Sequence, residues 1–589
     1  MELNAMTIDV ENIDINVDLY CTLYSPYFRS PPVFLQNYVE DGLGVWWRQV
    51  EVHEEKTHSK VKDHHCNIIQ SLFDLIIAFI EDMLSSIGNR IFSFIYSFVE
   101  KKKIPPATNP LLKESAVALA EKIRTQKVTA EDVVKAFIER TKEVNPIVNA
   151  LIDERFEDAI KEAKEVDELI RSGSMSAEEI KIKKPLLGVP FTAKEEISAK
   201  GSSWTLGLIS RKGRRATEDA TILQGLKNSG AILIGLTNIP EFCCWVETRN
   251  LLFGQTSNPY NTNRSVGGSS GGEACLISCC GSPIGLGSDF GGSIRIPASC
   301  CGVYGHKLSG GLINTKGMLY RDGTESEPTL LTSGTLTKYA VDLKPSSTAV
   351  ILPEKLPLLQ LDLEVDIKKL KFYYVLDPKI KHVTRVDKQI RDGLKKLVTV
   401  IADTNEGGIP PQEANIPSLK NVTSLYLYWA VKEDIDLSSL LTDGKGSVNL
   451  FAEFPKKVFG LSNYTLASLL MLVNLKFSSP SESWAVETTE KLKKELMKYL
   501  DDGGVLLFPG SPTTAPYHYQ PFIRMFDFSY FSLSNIFQLP VTQVPIGIAN
   551  NGLPMGIQVI AAPNQDRLCF AVAEYIESLI GGWVPPFSQ

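Results

Sequence analysis

Several features that would indicate a familiar chemistry are scarce or missing in this sequence of 589 residues. Acidic residues (68) outnumber lysine plus arginine (61), which excludes the broad basic surface of a nucleic-acid-binding protein. No GxxxxGK[ST] motif is present, and no GxGxxG motif follows a clear strand pattern, so a phosphate-binding loop is not expected. We therefore expect neither a nucleic-acid partner nor a cofactor.

The ten cysteines lack the spacing of a metal site. Six of them form adjacent pairs at 243–244, 279–280 and 300–301, which suits neither a disulfide framework nor the CxxC spacing of zinc ligands. Buried free thiols are the expected state, and they favour a reducing compartment. We expect no metal ion, although four histidines within residues 53–65 leave a metal site there as an alternative.

An uninterrupted apolar run of about twenty residues, the length that spans a bilayer, is also missing. Residues 67–100 are apolar and compatible with a helix, but acidic residues break the run. The polar positions are spaced by four and seven residues, so they form one stripe of a helix: Gln70, Asp74, Glu81, Ser85 and Asn89. A helix in the membrane interface with this stripe facing water avoids burying acids in lipid. We predict monotopic membrane association; a single-pass span and a helix packed on protein remain alternatives.

The chain divides into three regions. Residues 1–66 are mixed in charge without clear periodicity, which predicts a flexible extension. Residues 67–100 are the membrane-associated helical segment, and the prolines of "KIPPATNPLL" (103–112) prevent a continuous helix after it. Residues 101–589 form the main folded region, without a clear internal repeat.

Short apolar strands alternate with helices in the main region. The segments "LLGVPFTAK" (186–194) and "AILIGLTN" (231–238) predict buried strands, and residues 219–230 predict the helix between them. The apolar periodicity that begins near residue 130 predicts another helix, which we expect to end at Pro146. The alternation predicts an α/β fold.

Two later segments allow two interpretations each. Residues 454–477 are apolar, aromatic and punctuated by lysines, as expected of an acyl-chain entrance at a membrane surface or of a buried helix. Residues 521–540 are rich in phenylalanine, as expected of a pocket lining or of ordinary core packing.

The stretch "VGGSSGGEACLISCCGSPIGLGSDFGGSI" (266–294) has serines among glycines but no histidine to activate them. Serine is a weak nucleophile until a base takes its proton. Residues 267–271 fit the GxSxG nucleophile elbow of α/β-hydrolases, and His382 and His518 lie downstream as candidate bases. The elbow requires a strand directly before the serine, whereas "SNPYNTNRSV" (257–266) predicts a loop. The elbow stays open as an alternative.

A buried lysine is another candidate base. Lys194 ends the apolar strand "GVPFTAK", and burial favours the uncharged amine, which is the form that accepts a proton. A second serine could relay the proton between the lysine and the nucleophile. The structural alternative is a lysine that reaches solvent at the end of a strand.

The motifs "GVPFTAKE", "GGSSGGE" and "GSDFGGSIRIP", taken together, closely resemble the amidase signature family, and the match covers about residues 111–586. Members of that family use a Ser–Ser–Lys triad. Carried over by motif, Ser293 is the nucleophile, Ser269 is the relay serine and Lys194 is the base. For residues 101–589 the resemblance implies the amidase signature fold, a large, mixed and twisted β-sheet covered by helices on both faces.

The resemblance also implies roles for residues around the nucleophile. The implied oxyanion hole consists of the backbone N–H groups of Phe290, Gly291, Gly292 and Ser293. Glycine suits this role because it lets the backbone approach the substrate closely. Asp289 and Arg295 are expected to hold the loop by a charged contact, with Ser270 as a further supporting residue. Phe290 replaces a smaller residue common in relatives, which bears on substrate preference.

Within the family, "PATNPLL", "GVYGHKL" and "GGWVPP" resemble members that hydrolyse primary and N-acyl amides of long-chain fatty acids. The implied activity is that of a serine amidase that forms an acyl-enzyme. Two alternatives stay open: the amidase subunit of a tRNA-dependent amidotransferase, which hydrolyses glutamine, and a non-enzymatic membrane scaffold. The expected partners are a small lipid amide and the membrane surface, with a homodimer as an optional assembly. Intracellular membranes are the expected location.

Overall fold

The computed structural model describes residues 83, 86–319, 321, 329–433, 435–477, 480–501 and 503–588. The extension predicted for residues 1–66 lies outside this part of the chain, as do the histidines proposed there as an alternative metal site. Asp74, Glu81 and Asp82 of the predicted membrane segment also lie outside it.

Eleven strands of the described chain form one mixed sheet. The strands, numbered along the chain, are β1 (Leu151–Glu154), β2 (Pro190–Lys194), β3 (Ile232–Thr237), β4 (Arg249–Asn250), β5 (Gly254–Gln255), β6 (Ile284–Asp289), β7 (Tyr304–Lys307), β8 (Thr332–Thr337), β9 (Lys371–Tyr374), β10 (Gln412–Glu413), β11 (Gly504–Pro509), β12 (Val541–Ile548) and β13 (Pro554–Ile560). The order of the large sheet is β1-β3-β2-β6-β8-β7-β12-β13-β11-β9-β10, while β4 and β5 form a separate pair.

The helices lie mostly between these strands in sequence. They are α1 (Ala116–Arg124), α2 (Ala130–Val148), α3 (Phe156–Ser172), α4 (Ala177–Lys183), α5 (Thr221–Asn228), α6 (Gly271–Ser278), α7 (Arg295–Cys301), α8 (Leu343–Thr348), α9 (Leu356–Leu359), α10 (Lys388–Thr404), α11 (Val422–Lys432), α12 (Leu437–Leu441), α13 (Leu450–Val458), α14 (Leu466–Phe477), α15 (Glu482–Leu500), α16 (Ser529–Ile536) and α17 (Asp566–Ile580).

Strand β11 shows that helices cover both faces of the sheet. Leu506 and Phe508 belong to a buried cluster with side chains of α11, α15 and α16. Val505 and Leu507 belong to a different cluster, with side chains of α10 and α17. Successive side chains of a strand point to opposite faces, so each face of the sheet has its own helical layer. The predicted α/β fold, a mixed sheet between helices, is confirmed.

The strands that end beside the serine-rich stretch are parallel to each other. β2 pairs in parallel with β3 on one side and with β6 on the other, and α5 connects β2 to β3. The predicted strand at 186–194 begins only at Pro190, because Gly188 has a φ of +77° and interrupts the extended backbone. Since the carboxyl ends of parallel strands meet at one edge, the ends of β2, β3 and β6 lie together.

The expected end of α2 at Pro146 is wrong, because the helix continues to Val148. The side chain of Asn145 supports the extra turn: its Oδ1 accepts hydrogen bonds from the N–H groups of Ala150 and Leu151, and its Nδ2 donates to the carbonyl of Leu151. A proline so close to the helix end removes one hydrogen bond, and these contacts compensate for it.

Residues 86–97 form a helix that contacts the rest of the chain through Gly88, Asn89 and Tyr96, which corrects the predicted orientation. Asn89, the described member of the predicted polar stripe, accepts a hydrogen bond from Gln520, and Tyr96 stacks on Tyr517 with ring centroids 5.2 Å apart. Protein therefore contacts part of the stripe predicted to face water, although Asn89 itself remains exposed. The exposed side chains include a group of large apolar ones: Ile87, Ile91, Phe94, Ile95 and Phe98. In the part of the chain that the structure describes, no helix is long and apolar enough to cross a bilayer.

The apolar segment 454–477 is divided between two helices with different environments. Leu469 and Leu472 of α14 are buried, which confirms the buried-helix interpretation for this half. α13 is instead exposed: Phe451 has 95% of its surface accessible, and Val458 has 82%.

Candidate active site

The amine of Lys194 lies between two serine hydroxyls at the carboxyl edge of β2 and β6. Its Nζ is 2.7 Å from the Oγ of Ser269 and 2.8 Å from the Oγ of Ser288. Lys194 is the last residue of β2, and Ser288 precedes the last residue of β6. All three side chains are buried, so this lysine does not reach solvent. A neutral amine in this position can accept a proton from one serine while it donates a hydrogen bond to the other.

Tandem glycines allow Ser269 to approach the lysine. A Cβ at position 268 would lie 2.5 Å from the carbonyl oxygen of Trp245, and one at position 267 would lie 2.7 Å from the Cα of Pro297. No side chain larger than hydrogen fits at either position without displacing backbone. The glycines therefore determine how deeply the serine lies in the fold.

The local structure is not a nucleophile elbow. The residues before Ser269 form a loop, and Lys194 rather than a histidine contacts its hydroxyl. His518 is engaged elsewhere: its Nδ1 lies 2.6 Å from the Oε1 of Glu247, and its Nε2 lies 3.1 Å from the carbonyl oxygen of Thr262. The strand and the histidine base that the elbow requires are both missing around Ser269 in the described residues.

A buried ion pair holds the loop that carries Ser293, as the sequence predicts. Arg295 donates from Nε and Nη2 to the two carboxylate oxygens of Asp289, at 3.0 and 2.9 Å, and both side chains are fully buried. Burial alone raises the pKa of Asp289, but the adjacent Arg295 guanidinium outweighs it and holds that pKa well below its usual range. The same carboxylate accepts hydrogen bonds from the N–H groups of Gly292 and Ile294. Asp289 therefore binds the backbone on both sides of Ser293.

These bonds leave three of the four predicted oxyanion donors available. The N–H of Gly292 donates to Asp289 at 2.7 Å. No described residue accepts a hydrogen bond from the N–H of Phe290, Gly291 or Ser293. The predicted supporting residue Ser270 acts through its backbone, since its N–H donates to the carbonyl of Ser293 at 3.0 Å and connects the two serine loops.

Ser293 is half-buried and lies beside apolar side chains. A Cβ at position 292 would lie 2.6 Å from the Cβ of Phe531, which lines a small cavity of about 50 Å³ together with Val246, Ile296 and Phe528. Phe528 and Phe531 belong to segment 521–540, so the pocket-lining interpretation holds for them. On the other side, the ring of Phe290 contacts that of Tyr426, with centroids 6.3 Å apart. No hydrogen bond joins the hydroxyls of Ser293 and Ser269 in the described structure.

Sequence reasoning missed two polar neighbours of Ser269 and Lys194. Ser288 could have been found, because it ends a strand parallel to that of Lys194. Cys243 gives no such signal, yet its thiol lies beside Ser269. Burial raises the pKa of Cys243 to about 12, so this thiol is protonated and weakly nucleophilic near neutral pH. The described cysteines are all free thiols, as expected.

A third missed residue, Glu273, lies at the other end of "GGSSGGE". Each of its carboxylate oxygens is 2.6 Å from a threonine hydroxyl, on Thr192 and on Thr237. Burial raises the pKa of Glu273 to about 8, although these hydroxyls and the charge of Lys194 act in the opposite direction. A second carboxylate approaches the lysine directly, since the Oε1 of Glu196 is 3.7 Å from its Nζ. Among the described residues, no group of His, Cys, Asp and Glu side chains is arranged to bind a metal ion.

The chain is similar to known proteins in three comparisons. A family model described as Amidase matches residues 132–570, a range that contains all three motifs at the site. Fatty-acid amide hydrolase 2-B of Danio rerio is 41% identical over 495 residues, which covers 82% of this chain and 93% of that protein. A glutamyl-tRNA(Gln) amidotransferase subunit from Fusobacterium nucleatum is 28% identical, covering 80% of this chain and 98% of that protein. The solved structure of a fatty acid amide hydrolase, 21% identical, has the same fold, with a TM-score of 0.65 over 82% of this chain and 87% of that one.

The buried carboxyl of Glu273 predicts a pH-dependent stability. Below its ordinary pKa of 4.5, Glu273 is protonated in both the folded and the unfolded chain. Between that value and about 8 only the unfolded chain releases the proton, so the free energy of unfolding falls as pH rises, by at most about 5 kcal/mol from this group. Glu273→Gln removes this contribution while it preserves the shape of the side chain. We therefore expect the melting temperature of the variant minus that of wild type to be larger at pH 8.5 than at pH 5.

Other buried carboxyls titrate in the same range, but they titrate in both proteins and cancel in the difference. Asp342, whose pKa burial raises to about 7, is one of them. Equal melting-temperature differences at the two pH values would show that Glu273 is ionised in the folded protein at pH 5.

Proposed function

The chain belongs to the amidase signature family and is an amide-hydrolysing enzyme; from this premise we propose that it cleaves fatty-acid amides through an acyl-enzyme formed on Ser293. One observation supports the proposal above the others: the fully buried Lys194 lies 2.7 Å from the hydroxyl of Ser269. A buried lysine whose nearest partners are serine hydroxyls is suited to accept a proton from serine.

In the proposed first step, Ser293 Oγ attacks the amide carbon and loses its proton to Ser269, while Ser269 passes its own proton to the neutral amine of Lys194. This step requires contact between the two hydroxyls, and such catalytic contacts commonly form or tighten only when substrate binds. The developing oxyanion receives hydrogen bonds from the free N–H groups of Phe290, Gly291 and Ser293. The N–H of Gly292 stays with Asp289 and preserves the shape of the loop.

In the proposed second step, the C–N bond breaks and the proton returns from Lys194 through Ser269 to the leaving nitrogen. Ammonia or an amine departs, and the acyl group remains as an ester on Ser293. Water then attacks this ester, and the same lysine and serine take and return its proton. The products are a carboxylic acid and a regenerated serine.

The fatty-acyl part of the proposal is supported by similarity and by the surroundings of Ser293. The 41% identical relative is named for fatty-acid amides. The nucleophile loop carries Phe290 and contacts Tyr426, whose apolar surfaces suit an acyl chain better than the polar side chain of glutamine. The amidotransferase alternative has the weaker sequence similarity, at 28%.

The exposed helix of residues 86–97 supports membrane association of the monotopic kind. Its outward side chains include Phe94 and Phe98, with 67% and 76% of their surfaces exposed, and Lys101 to Lys103 follow directly. Apolar side chains next to basic residues are typical of a surface that enters the headgroup region of an anionic membrane. An acyl amide dissolved in lipid would then meet the enzyme at that surface.

A substrate panel tests the activity. Purified protein is incubated with oleamide, N-oleoylethanolamine, a short soluble amide and glutamine, and the release of ammonia or amine is followed. We expect the two fatty amides to be hydrolysed with the highest kcat/KM, and Ser293→Ala to abolish the activity. A fluorophosphonate probe is expected to label a peptide that carries Ser293. Preferred hydrolysis of glutamine, or labelling of Ser269, would contradict the proposal.

The role of Lys194 as the base predicts a specific loss in Lys194→Arg. Arginine keeps the positive charge but does not lose its proton near neutral pH. We expect kcat to fall by at least about a hundredfold, the lower end of what a positioned base contributes. Lys338→Arg, at another fully buried lysine, is the matched control and should retain activity. A folded Lys194→Arg enzyme within tenfold of wild type would exclude the role.

Membrane association predicts a loss of vesicle binding in Phe94→Glu/Phe98→Glu. Each phenylalanine contributes about 1.5–3 kcal/mol when its ring leaves water, so binding to liposomes should fall at least about tenfold. Both side chains are exposed, so the melting temperature should change little. Ile182→Glu, at an equally exposed apolar side chain on α4, is the control. Unchanged co-sedimentation of the double variant would show that this face does not contact lipid.

A further inference from the structure

A polar cavity of about 240 Å³ separates the helix of residues 86–97 from the loop that follows β11. Two arginines, Arg264 and Arg524, line it together with hydroxyl and amide side chains such as those of Thr514 and Gln520. Polar side chains that converge on one cavity can fix the orientation of a small polar ligand. None of the proposed catalytic residues is part of the lining.

Arg264 has no counter-ion in the part of the chain that the structure describes. Its Nη1 donates to the carbonyl of Ala515 at 3.1 Å, and its guanidinium stacks on the ring of Tyr517 at 3.4 Å. Its Nε is buried and has no hydrogen-bond acceptor among the described residues. Burial lowers the pKa of Arg264, and the charge of Arg524 lowers it further, so the two guanidinium groups lie close enough to repel each other. Arg524 already has the carboxylate of Asp527 near it, whereas an anion beside Arg264 would relieve both effects there.

The one carboxylate in the lining does not cancel this positive charge. Asp387 caps α10, where its Oδ1 accepts the N–H of Gln389 at 2.8 Å. Two arginines against this one carboxylate leave the lining with a net positive charge. The cavity therefore favours a negatively charged group.

The polar cavity adjoins the small apolar cavity beside the serines, since Thr513, Pro516 and Arg524 line both. The apolar cavity in turn includes Val246, whose carbonyl carbon lies 2.9 Å from a Cβ built on Gly268. The two cavities therefore lie one after the other between the backbone beside the serine loops and Arg264.

We propose that the polar cavity binds a carboxylate, sulfonate or phosphate on the amine portion of an N-acyl amide substrate, an assignment that rests on the proposed amidase function. The size of the apolar cavity indicates which portion of the substrate carries the anion. At about 50 Å³ the cavity has room for about four waters, at the ~10–15 Å³ that one water needs in a cavity, and it is too small for a long acyl chain. The anion therefore lies only a few bonds from the amide nitrogen, as in an N-acylglycine, whose hydrolysis by water gives a fatty acid and glycine.

Two matched substrates test the assignment, N-oleoylglycine and the neutral N-oleoylethanolamine. The quantity compared is kcat/KM for N-oleoylglycine divided by kcat/KM for N-oleoylethanolamine. We expect Arg264→Gln to lower this ratio at least about tenfold, which is the effect of losing a charged hydrogen bond. The loss should appear mainly as a higher KM for N-oleoylglycine. Ser93→Glu, at an exposed position on the cavity wall, should lower the ratio as well, because it adds a like charge without removing a buried group. Arg215→Gln, at an exposed arginine outside the cavity, is the control and should leave the ratio unchanged.

The outcomes separate this inference from the proposed function. Hydrolysis of N-oleoylethanolamine without N-oleoylglycine, or an unchanged ratio in both Arg264→Gln and Ser93→Glu, overturns the inference and leaves the amidase proposal standing. Hydrolysis of neither substrate overturns both. A phospholipid headgroup is the other source of such an anion, and vesicles with and without phosphatidic acid distinguish it. If Arg264→Gln weakens binding to the anionic vesicles and both substrates lose activity equally, the cavity binds lipid and the substrate assignment fails.

Discussion

The buried ion pair of Asp289 and Arg295 is the contact on which the geometry around Ser293 depends. It joins the end of β6 to the start of α7 and, through Arg295, to the carbonyl of Phe531 in α16 and to Gln558 in β13. A buried ion pair adds little net stability, since desolvation of both charges offsets their attraction. Its effect is geometric: the carboxylate holds the N–H groups of Gly292 and Ile294, so the backbone that presents Ser293 is fixed before any substrate arrives.

The same edge of the sheet concentrates ionisable groups whose environments differ. Asp289 is held as a carboxylate by a bidentate guanidinium, whereas Glu273, with only hydroxyl partners, has a pKa raised by burial to about 8. Lys194 has two serine hydroxyls as its hydrogen-bond partners, and the carboxylate of Glu196 lies further away at 3.7 Å. The difference in partners separates the roles: a charge locked in an ion pair keeps the loop in place, while an amine among hydroxyls can exchange a proton with them.

How much of this could be predicted from sequence depends on the range of the interaction. The resemblance of three motifs to the amidase signature family named Lys194, Ser269 and Ser293, and the parallel strands β2 and β6 explain why Lys194 meets Ser288 at one edge. The alternation of strands and helices predicted the fold class, because it is visible in the local spacing of apolar residues. The neighbours that depend on packing, such as Cys243 beside Ser269, leave no periodic signal. The extra turn of α2 was missed because it depends on side-chain hydrogen bonds of Asn145. The orientation of the helix of residues 86–97 was missed because it depends on a distant loop around Gln520.

The orientation of the helix of residues 86–97 determines which side chains would meet a membrane. A helix whose polar stripe faced water would lie on a membrane away from the protein, but this helix turns Asn89 towards the protein body and leaves Phe94 and Phe98 outside. The side of the helix that carries Asn89 and Ser93 also forms one wall of the cavity that contains Arg264. If the exposed face enters lipid, as we propose, the cavity lies directly beneath the membrane surface. An amphiphile that leaves the bilayer would there find a cation for its charged end and apolar surfaces near Ser293 for its chain, so one short helix would connect attachment to the membrane with selection of the substrate.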